Sequence, residues 1–414
     1  MREYSHKPGG TVSAAVPVVV LAYGYSAHGF APGYGPLGVA RSLGRLGVPM
    51  YVIRDRALAP MPVSRFWKEA FTWDPAASED QTLRFVLDIG RRVGPHPILL
   101  YTTDGAARFV SKYARALEEV FTFPKVSLSL VESLIDKSRM FHLAGEKGIA
   151  TPETMFPRSR GDVSRFLDSA RFPIMLKGAD PLLPHGRTKE IVNNARDLLE
   201  KYDRAANPGA PNLMLQEYVP GDEDSVWMCN AYFDQNSTCL AAFTGQKIRQ
   251  WPPYTGVASM AVCQSNPTVE EATRRFMQAI GYQGLVGIGY KYDARDGQYK
   301  VLDVNPRVSA VFRLFVTKNN MDPVRVCYFD LTGQTVPPLA LSIGRKWLLE
   351  EDLYSMLKYR GDGKLTFGQW LRSLRGVEET AWFAADDPLP FLVWCWRRLA
   401  QVPAKFLRNS SGGG

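Results

Sequence analysis

The chain has 414 residues, 45% hydrophobic and 22% charged, a globular composition too long for one ordinary core and sufficient for two or three domains. Its net charge of +9, from 50 Lys and Arg against 41 Asp and Glu, favours anionic partners, but the basic residues are spread along the chain. That spread argues against nucleic acid, which asks for a concentrated basic stripe with interleaved aromatics.

No run approaches about 18 apolar residues, and MREYSHKPGGTVSAAVPVVV lacks the plan of a signal peptide, so a cytoplasmic location is expected. Cys229, Cys239, Cys263, Cys327 and Cys395 are odd in number and include no CxxC pair, which suggests reduced thiols in place of a disulfide framework or zinc site. His6, His28, His96, His142 and His185 show no metal spacing, and no Gly-x-Ser-x-Gly elbow occurs, so serine, cysteine or zinc hydrolysis is not expected.

Residues 1–16 read as a disordered tail. Residues 17–124 alternate strand and helix: VPVVVLA, then PLGVARSLGRLG, VPMYVI, SEDQTLRFVLDIGRRV and PILLYTTD. Such alternation predicts a Rossmann-like parallel sheet. GYGPLG at 33–38 matches a dinucleotide fingerprint literally, with Asp55 after the next strand. About ten residues separate it from the first strand, however, and Pro36 removes a turn N–H, where the fingerprint turns directly off its strand.

Residues 125–334 change character, with helices (SLIDKSRMFHLAGEKG, VEEATRRFMQAIGY) among strands in largely antiparallel order (RFPIMLKGAD, NLMLQEY, DSVWMCNAYFD, CLAAFTGQKIRQW, GVASMAVCQ, GLVGIGYKYD, QYKVLDVNPR). This makes an α+β unit beside the α/β one. Asp296-Gly297 marks a hairpin between the last two strands. Residues 335–408 read as a helical and irregular appendage, and 409–414 as a second tail. Within the appendage, LPFLVWCWRRLAQVPAKFLR combines aromatic bulk with basic residues; it fits a helix packing its Trp face on the body, or a weak contact with a membrane surface.

The stretch YKVLDVNPRVSAVFR at 299–313 holds the most chemistry. Strand alternation sets Val301, Asp303, Asn305 and Arg307 on one side, with Leu302 and Val304 on the other. A carboxylate, an amide and a guanidinium in line suit a divalent cation and the phosphate it carries, although a strand end entering a Pro turn fits the same residues.

Taken in order, SLGRLGVP, LIDKSRMFHLAGEKGIATPET, PIMLKG, LQEYVPGDE and VLDVNPR resemble the ATP-grasp superfamily, in its carboxylate–amine ligase branch. The resemblance implies an ATP-grasp fold with a Rossmann-like N-terminal domain and a bilobal ATP-binding region, and it implies ATP and Mg²⁺ as cofactors. It places Lys137 and Lys177 on ATP phosphates, Gln216, Glu217 and Val219 around adenine, and Glu223 at the ribose. Asp303 and Asn305 match the metal pair, Arg307 the arginine at the transferring phosphoryl, and Lys247 and Arg249 a cationic pair facing the reaction centre; Arg313 and Asp104 are expected near substrate. Without the family, the two lysines and Glu223 read as ordinary surface charges.

Three departures stand out. Asp303 occupies a position more often held by Glu, the preceding strand has Gly287 and Gly289 where an acid is expected, leaving Asp293 nearest, and ADPLLPHGRTKE replaces a glycine-rich phosphate flap. The expected activity is amide formation between a small carboxylate and an amine through an acyl phosphate. A non-catalytic nucleotide-binding protein and a dinucleotide-dependent protein are the alternatives.

Overall fold

The computed structural model describes residues 16–24, 33–56, 60–180, 188–207 and 211–410, with the backbone alone for 401–410. Residues 1–15, the flap segment containing Gly186, His6, His28 and His185, and residues 411–414 lie outside the described residues. Four parallel strands form the first sheet: β1 (Val18–Ala22), β2 (Met50–Arg54), β3 (Trp67–Thr72) and β4 (Ile98–Tyr101), in the order β3-β2-β1-β4. Along β1, Val18, Val20 and Ala22 enter one hydrophobic core while Val19 and Leu21 enter another. Burial on both faces is what an unbroken apolar run in a parallel sheet requires.

A small antiparallel lobe follows, built from β5 (Thr154–Met155), β6 (Ile174–Gly178), β7 (Lys189–Val192) and β8 (Leu213–Glu217) in the order β5-β8-β6-β7. It has its own core of Val163, Ile174, Leu176, Val192, Leu198, Tyr202, Leu213 and Leu215. The third sheet has seven strands: β9 (Val226–Phe233), β10 (Cys239–Trp251), β11 (Val257–Cys263), β12 (Gly284–Asp293), β13 (Gln298–Asn305), β14 (Lys346–Leu348) and β15 (Val377–Thr380), ordered β13-β12-β9-β10-β11-β14-β15. The hairpin between β12 and β13 turns at Gly297, whose φ of +72° only glycine adopts readily.

Two local readings differ from expectation. KWL within KWLLEEDLYSMLKY is strand β14, pairing with β11 around a fully buried Trp347, and β15 joins it in parallel; tertiary pairing overrides the helical pattern there. Asn409 and Ser410, expected in the C-terminal tail, lie in the last helix, Leu389–Ser410.

GYGPLG opens a buried helix, Tyr34–Gly44. A Cβ at Gly38 would stand 3.1 Å from the Phe312 ring and 3.2 Å from the Arg313 side chain, and one at Gly35 would meet Ala310 at 3.5 Å. The glycines therefore permit close packing on residues 310–313. The same helix carries Arg41, buried, whose Nε donates to Asp387 at 3.0 Å and whose Nη2 donates to the Trp382 carbonyl at 2.6 Å. Asp387 also accepts from Ser64 Oγ at 2.7 Å and the Arg65 N–H at 3.0 Å. One carboxylate thus joins three distant segments.

Removing one partner of such a buried pair typically costs about 3–5 kcal/mol, because the other charge is left uncompensated. Asp387→Ala is expected to lower the urea unfolding midpoint accordingly, with a conservative Arg45→Lys at the exposed neighbouring pair changing it by less than about 1 kcal/mol. Equal, small effects at both positions would contradict this assignment.

Candidate active site

Between the small lobe and the large sheet lies a cavity of about 960 Å³. Five lysines reach it: Lys137 from the start of the helix Lys137–Glu146, Lys177 from β6, Lys189 from β7, Lys247 from β10 and Lys291 from β12. Local structure aims each one. Asp136 caps the helix by accepting from the Arg139 N–H at 2.9 Å, leaving Lys137 in the first turn with its Nζ 3.0 Å from the Gly178 carbonyl. Lys177 Nζ donates to Gln216 Oε1, and Gln216 is itself fixed by donating to Thr154 Oγ1 at 2.9 Å.

Lys177 and Lys189 are direct cross-strand partners. Like charges directly opposite destabilise a sheet unless an anion meets them. Burial is the largest influence on all five ammonium groups and lowers the pKa of each. Lys177 falls well below the ordinary lysine value, pressed further by Lys189 and Lys137. Lys189 is pushed to about 8, by burial and then by Lys247. As a residue Lys189 is exposed, but its ammonium reaches the Thr255 carbonyl among the cavity's cations, and the surroundings of that head set the shift. For Lys137 and Lys247 the Asp303 carboxylate offsets part of the lowering.

Asp303 sits on β13 opposite Gly289. A Cβ at Gly289 would come 2.1 Å from Asp303 Oδ1, so the glycine is the space the carboxylate occupies. An acid at 289 and the present position of Asp303 are mutually exclusive. Asn305 Nδ2 donates to Asp303 Oδ2 at 3.0 Å, and its Oδ1 accepts from Arg307 Nη2 at 3.0 Å. Arg307 Nε in turn donates to Asp104 Oδ1 at 2.6 Å in a buried ion pair. This chain of contacts runs from the end of the parallel sheet to the cavity. One carboxylate with an amide beside it fits a Mg²⁺ that arrives with phosphates, since such ions are held by one or two carboxylates plus substrate oxygens. Among the described residues no group of three or more His, Cys, Asp or Glu stands ready to hold a metal unaided.

At the far wall Gln216, Glu217 and Val219 line the cavity; Glu217 is steadied by Arg295 and by the Glu153 N–H. Glu223 accepts from Gln250 and from the Tyr359 hydroxyl and is not among the lining residues. Arg249 does not face the cavity. A register shift between Lys247 and Arg249 leaves Ile248 of β10 unmatched, and a second between Arg249 and Gln250 leaves Ser259 of β11 unmatched; the broken alternation turns Arg249 into a buried bidentate pair with Asp352 at 2.7–3.0 Å, and Gln250 lines the cavity instead. Arg313 is likewise away from the cavity, bound to Asp322 at 2.9 Å and Glu379 at 2.9 Å.

A similar register shift in β13 leaves Leu302 unpaired, so Val301 joins the core while Leu302 and Asp303 line the cavity. Asp293, the nearest alternative acid in sequence, is buried beside Arg295 and Lys300, which hold its carboxyl far below the usual range. It is a structural anion of the hairpin. Lys189 and Lys291 were not anticipated. Period-2 counting from Gly287 and Gly289 reaches Lys291, but no sequence signal pairs Lys189 with Lys177.

The parallel sheet, the small lobe and the lysine-lined cleft against a large, mostly antiparallel sheet are the layout of an ATP-grasp protein, and the chain has that fold. No family model matches the chain. It is 27% identical over 243 residues to the D-aspartate ligase of Enterococcus faecium, a match covering 55% of this chain and 57% of that enzyme; the chain thus spans little more than half the length of this relative. An N5-carboxyaminoimidazole synthetase from Staphylococcus aureus complexed with ADP superposes with a TM-score of 0.61 at 13% identity, covering 84% of this chain and 86% of that one. The biotin carboxylase domain of the Hydrogenobacter thermophilus 2-oxoglutarate carboxylase, in complex with MgADP, ADP and bicarbonate, superposes with a TM-score of 0.60 at 18% identity over 80% of this chain and 73% of that chain.

Gly289→Ala forces the Asp303 carboxylate aside and is expected to destabilise the fold by about 1–3 kcal/mol, although alanine normally favours a strand interior over glycine. Adding Asp303→Ala removes the clash, so a double-mutant cycle by chemical denaturation is expected to show strong coupling. Additive effects would place the Asp303 carboxylate elsewhere.

Proposed function

We propose that this protein is an ATP-dependent carboxylate–amine ligase: ATP phosphorylates a small substrate's carboxylate, an amine displaces phosphate from the acyl phosphate, and amide, ADP and phosphate leave. The observation that carries the reading is the convergence of five desolvated ammonium groups on one cavity, with Asp303 among them. A triphosphate supplies the negative charge those lysines lack. The similarity to a D-aspartate ligase supports the carboxylate–amine chemistry.

In this reading Lys137, Lys177 and Lys189 hold phosphate oxygens, while Gln216, Glu217 and Val219 form the hinge beside adenine. Glu223, steadied by Gln250 and Tyr359, stands behind that hinge on the ribose side. Asp303, positioned by Asn305, would hold Mg²⁺, which when bound neutralises charge on the phosphates. Arg307 and Lys247 present positive charge where the transferring phosphoryl develops negative charge on its oxygens. Asp104 fixes the Arg307 guanidinium, and the adjoining recess lined by Asn230, Gly287, Ser309 and Arg307 takes the carboxylate. Gly289 in place of an acid favours a second reading, a nucleotide-binding protein without turnover.

Release of ADP from ATP with pooled carboxylic acids and amines, read by mass spectrometry for the conjugate, separates the two. With the true acid and hydroxylamine a hydroxamate is expected; pyrophosphate as product would contradict the acyl phosphate, and stabilisation by MgATP with no ADP from any pool would favour the second reading. Lys177→Ala is expected to weaken ATP binding by about 1.5–3 kcal/mol, roughly ten- to a hundredfold. Unchanged affinity would remove Lys177 from the phosphate site.

A further inference from the structure

The last helix, Leu389–Ser410, divides its apolar residues between two faces. Phe391 and Trp394 stack on each other, and Trp394 Nε1 donates to Glu351 at 3.3 Å, holding that side to the body. Trp394, Arg397 and Arg398 also form part of the cavity wall. The other side carries Leu389, Leu392, Trp396 and Leu399, which are 50%, 56%, 73% and 69% exposed. At 100° per residue these four fall within about 80° of one another, so they make one stripe along the helix. Of the paired tryptophans in LVWCW, one therefore packs on the body and one does not.

The charge on this helix identifies what covers the stripe. Its sequence contains Arg397, Arg398, Lys405 and Arg408 and no Asp or Glu; Arg398 is paired with Glu351 of the body at 2.6 Å, and the whole chain carries +9. Pairing of two copies through this stripe would bring two acid-free, basic helices side by side, with no carboxylate on either to offset the charge. An anionic lipid surface meets both features at once, since the stripe enters the acyl boundary while basic residues meet headgroup phosphates. No helix among the described residues is long and apolar enough to cross a membrane, so the contact is one of lying on the surface.

We propose that the C-terminal helix docks the protein on anionic membrane surfaces through Leu389, Leu392, Trp396 and Leu399. The proposal stands whether or not the protein is a ligase. Because the docked helix also walls the cavity with Trp394, the cavity is held beside the bilayer.

The test is flotation of the full chain with vesicles of phosphatidylcholine containing phosphatidylglycerol, against pure phosphatidylcholine, at low and high salt. Binding to the anionic vesicles is expected, falling severalfold on neutral vesicles and when salt shortens the Debye length from about 10 Å to about 3 Å. Trp396→Glu and Leu392→Glu are each expected to weaken binding by roughly tenfold or more. Both positions are exposed, so unfolding temperatures should match the parent, which separates lost docking from lost folding. Absence of the wild-type chain from the floated anionic vesicles, or undiminished binding by both variants, would overturn the proposal. Concentration-dependent dimerisation abolished by Trp396→Glu, without vesicle binding, would equally overturn it and assign the stripe to a second copy.

Discussion

Lys177 and Lys189 face each other across an antiparallel pair of strands, with three more ammonium groups around the same cavity. Nothing in ordinary sheet energetics favours that arrangement: opposed like charges repel, and burial penalises each cation further. The fold sustains it by rigid support from outside. The small lobe closes its own core behind β6 and β7, Gln216 and the Gly178 carbonyl hold two of the lysine heads in place, and Asp303 supplies opposing charge from the large sheet. Such a site is built to receive a polyanion, and its positive charge is the constraint around which the two lobes are arranged.

The ends of the chain serve the same centre. Asp104, at the start of the helix following β4, fixes Arg307, and through Asn305 the link reaches Asp303. Helix Tyr34–Gly44 packs on the segment after Arg307 by virtue of its glycines and is anchored to the C-terminal segment by Arg41 and Asp387. The C-terminal segment extends the large sheet through β14 and β15 and clamps the outer half of β10 through Asp352 and Arg249. Residues that read in sequence as catalytic or substrate-binding arginines, Arg249 and Arg313, are part of this framework.

The fold was legible where local pattern and tertiary demand agree. The buried runs of β1, β2 and β4 and the amphipathic helix at 79–93 announce a parallel α/β unit, and the Asp296-Gly297 hairpin lies where its turn residues put it. Lys137, Lys177, Lys247, Gln216, Glu217, Val219, Asp104 and Asp303 all line one cavity, although their chemical roles there are proposals. What sequence could not show were the breaks in strand period. One extra residue at Ile248 turns Arg249 inward, and another at Leu302 sends Val301 to the core, because a bulge depends on the partner strand's register. Nor could sequence reveal that Gly289 is excluded from carrying an acid by the Asp303 carboxylate lying across it.

The central claim is that the lysine cavity receives nucleotide phosphates. Burial lowers the pKa of all five ammonium groups, Lys189 to about 8 so that it is partly deprotonated at pH 8, and phosphate oxygens beside them raise those values again, so binding must take up protons. Titration calorimetry of MgATP at pH 8, in buffers of low and high ionisation enthalpy, measures this directly. Observed heat rising with buffer ionisation enthalpy, the sign of net uptake, is the result the account predicts. Binding with no proton uptake, or no binding of MgATP at all, would contradict it.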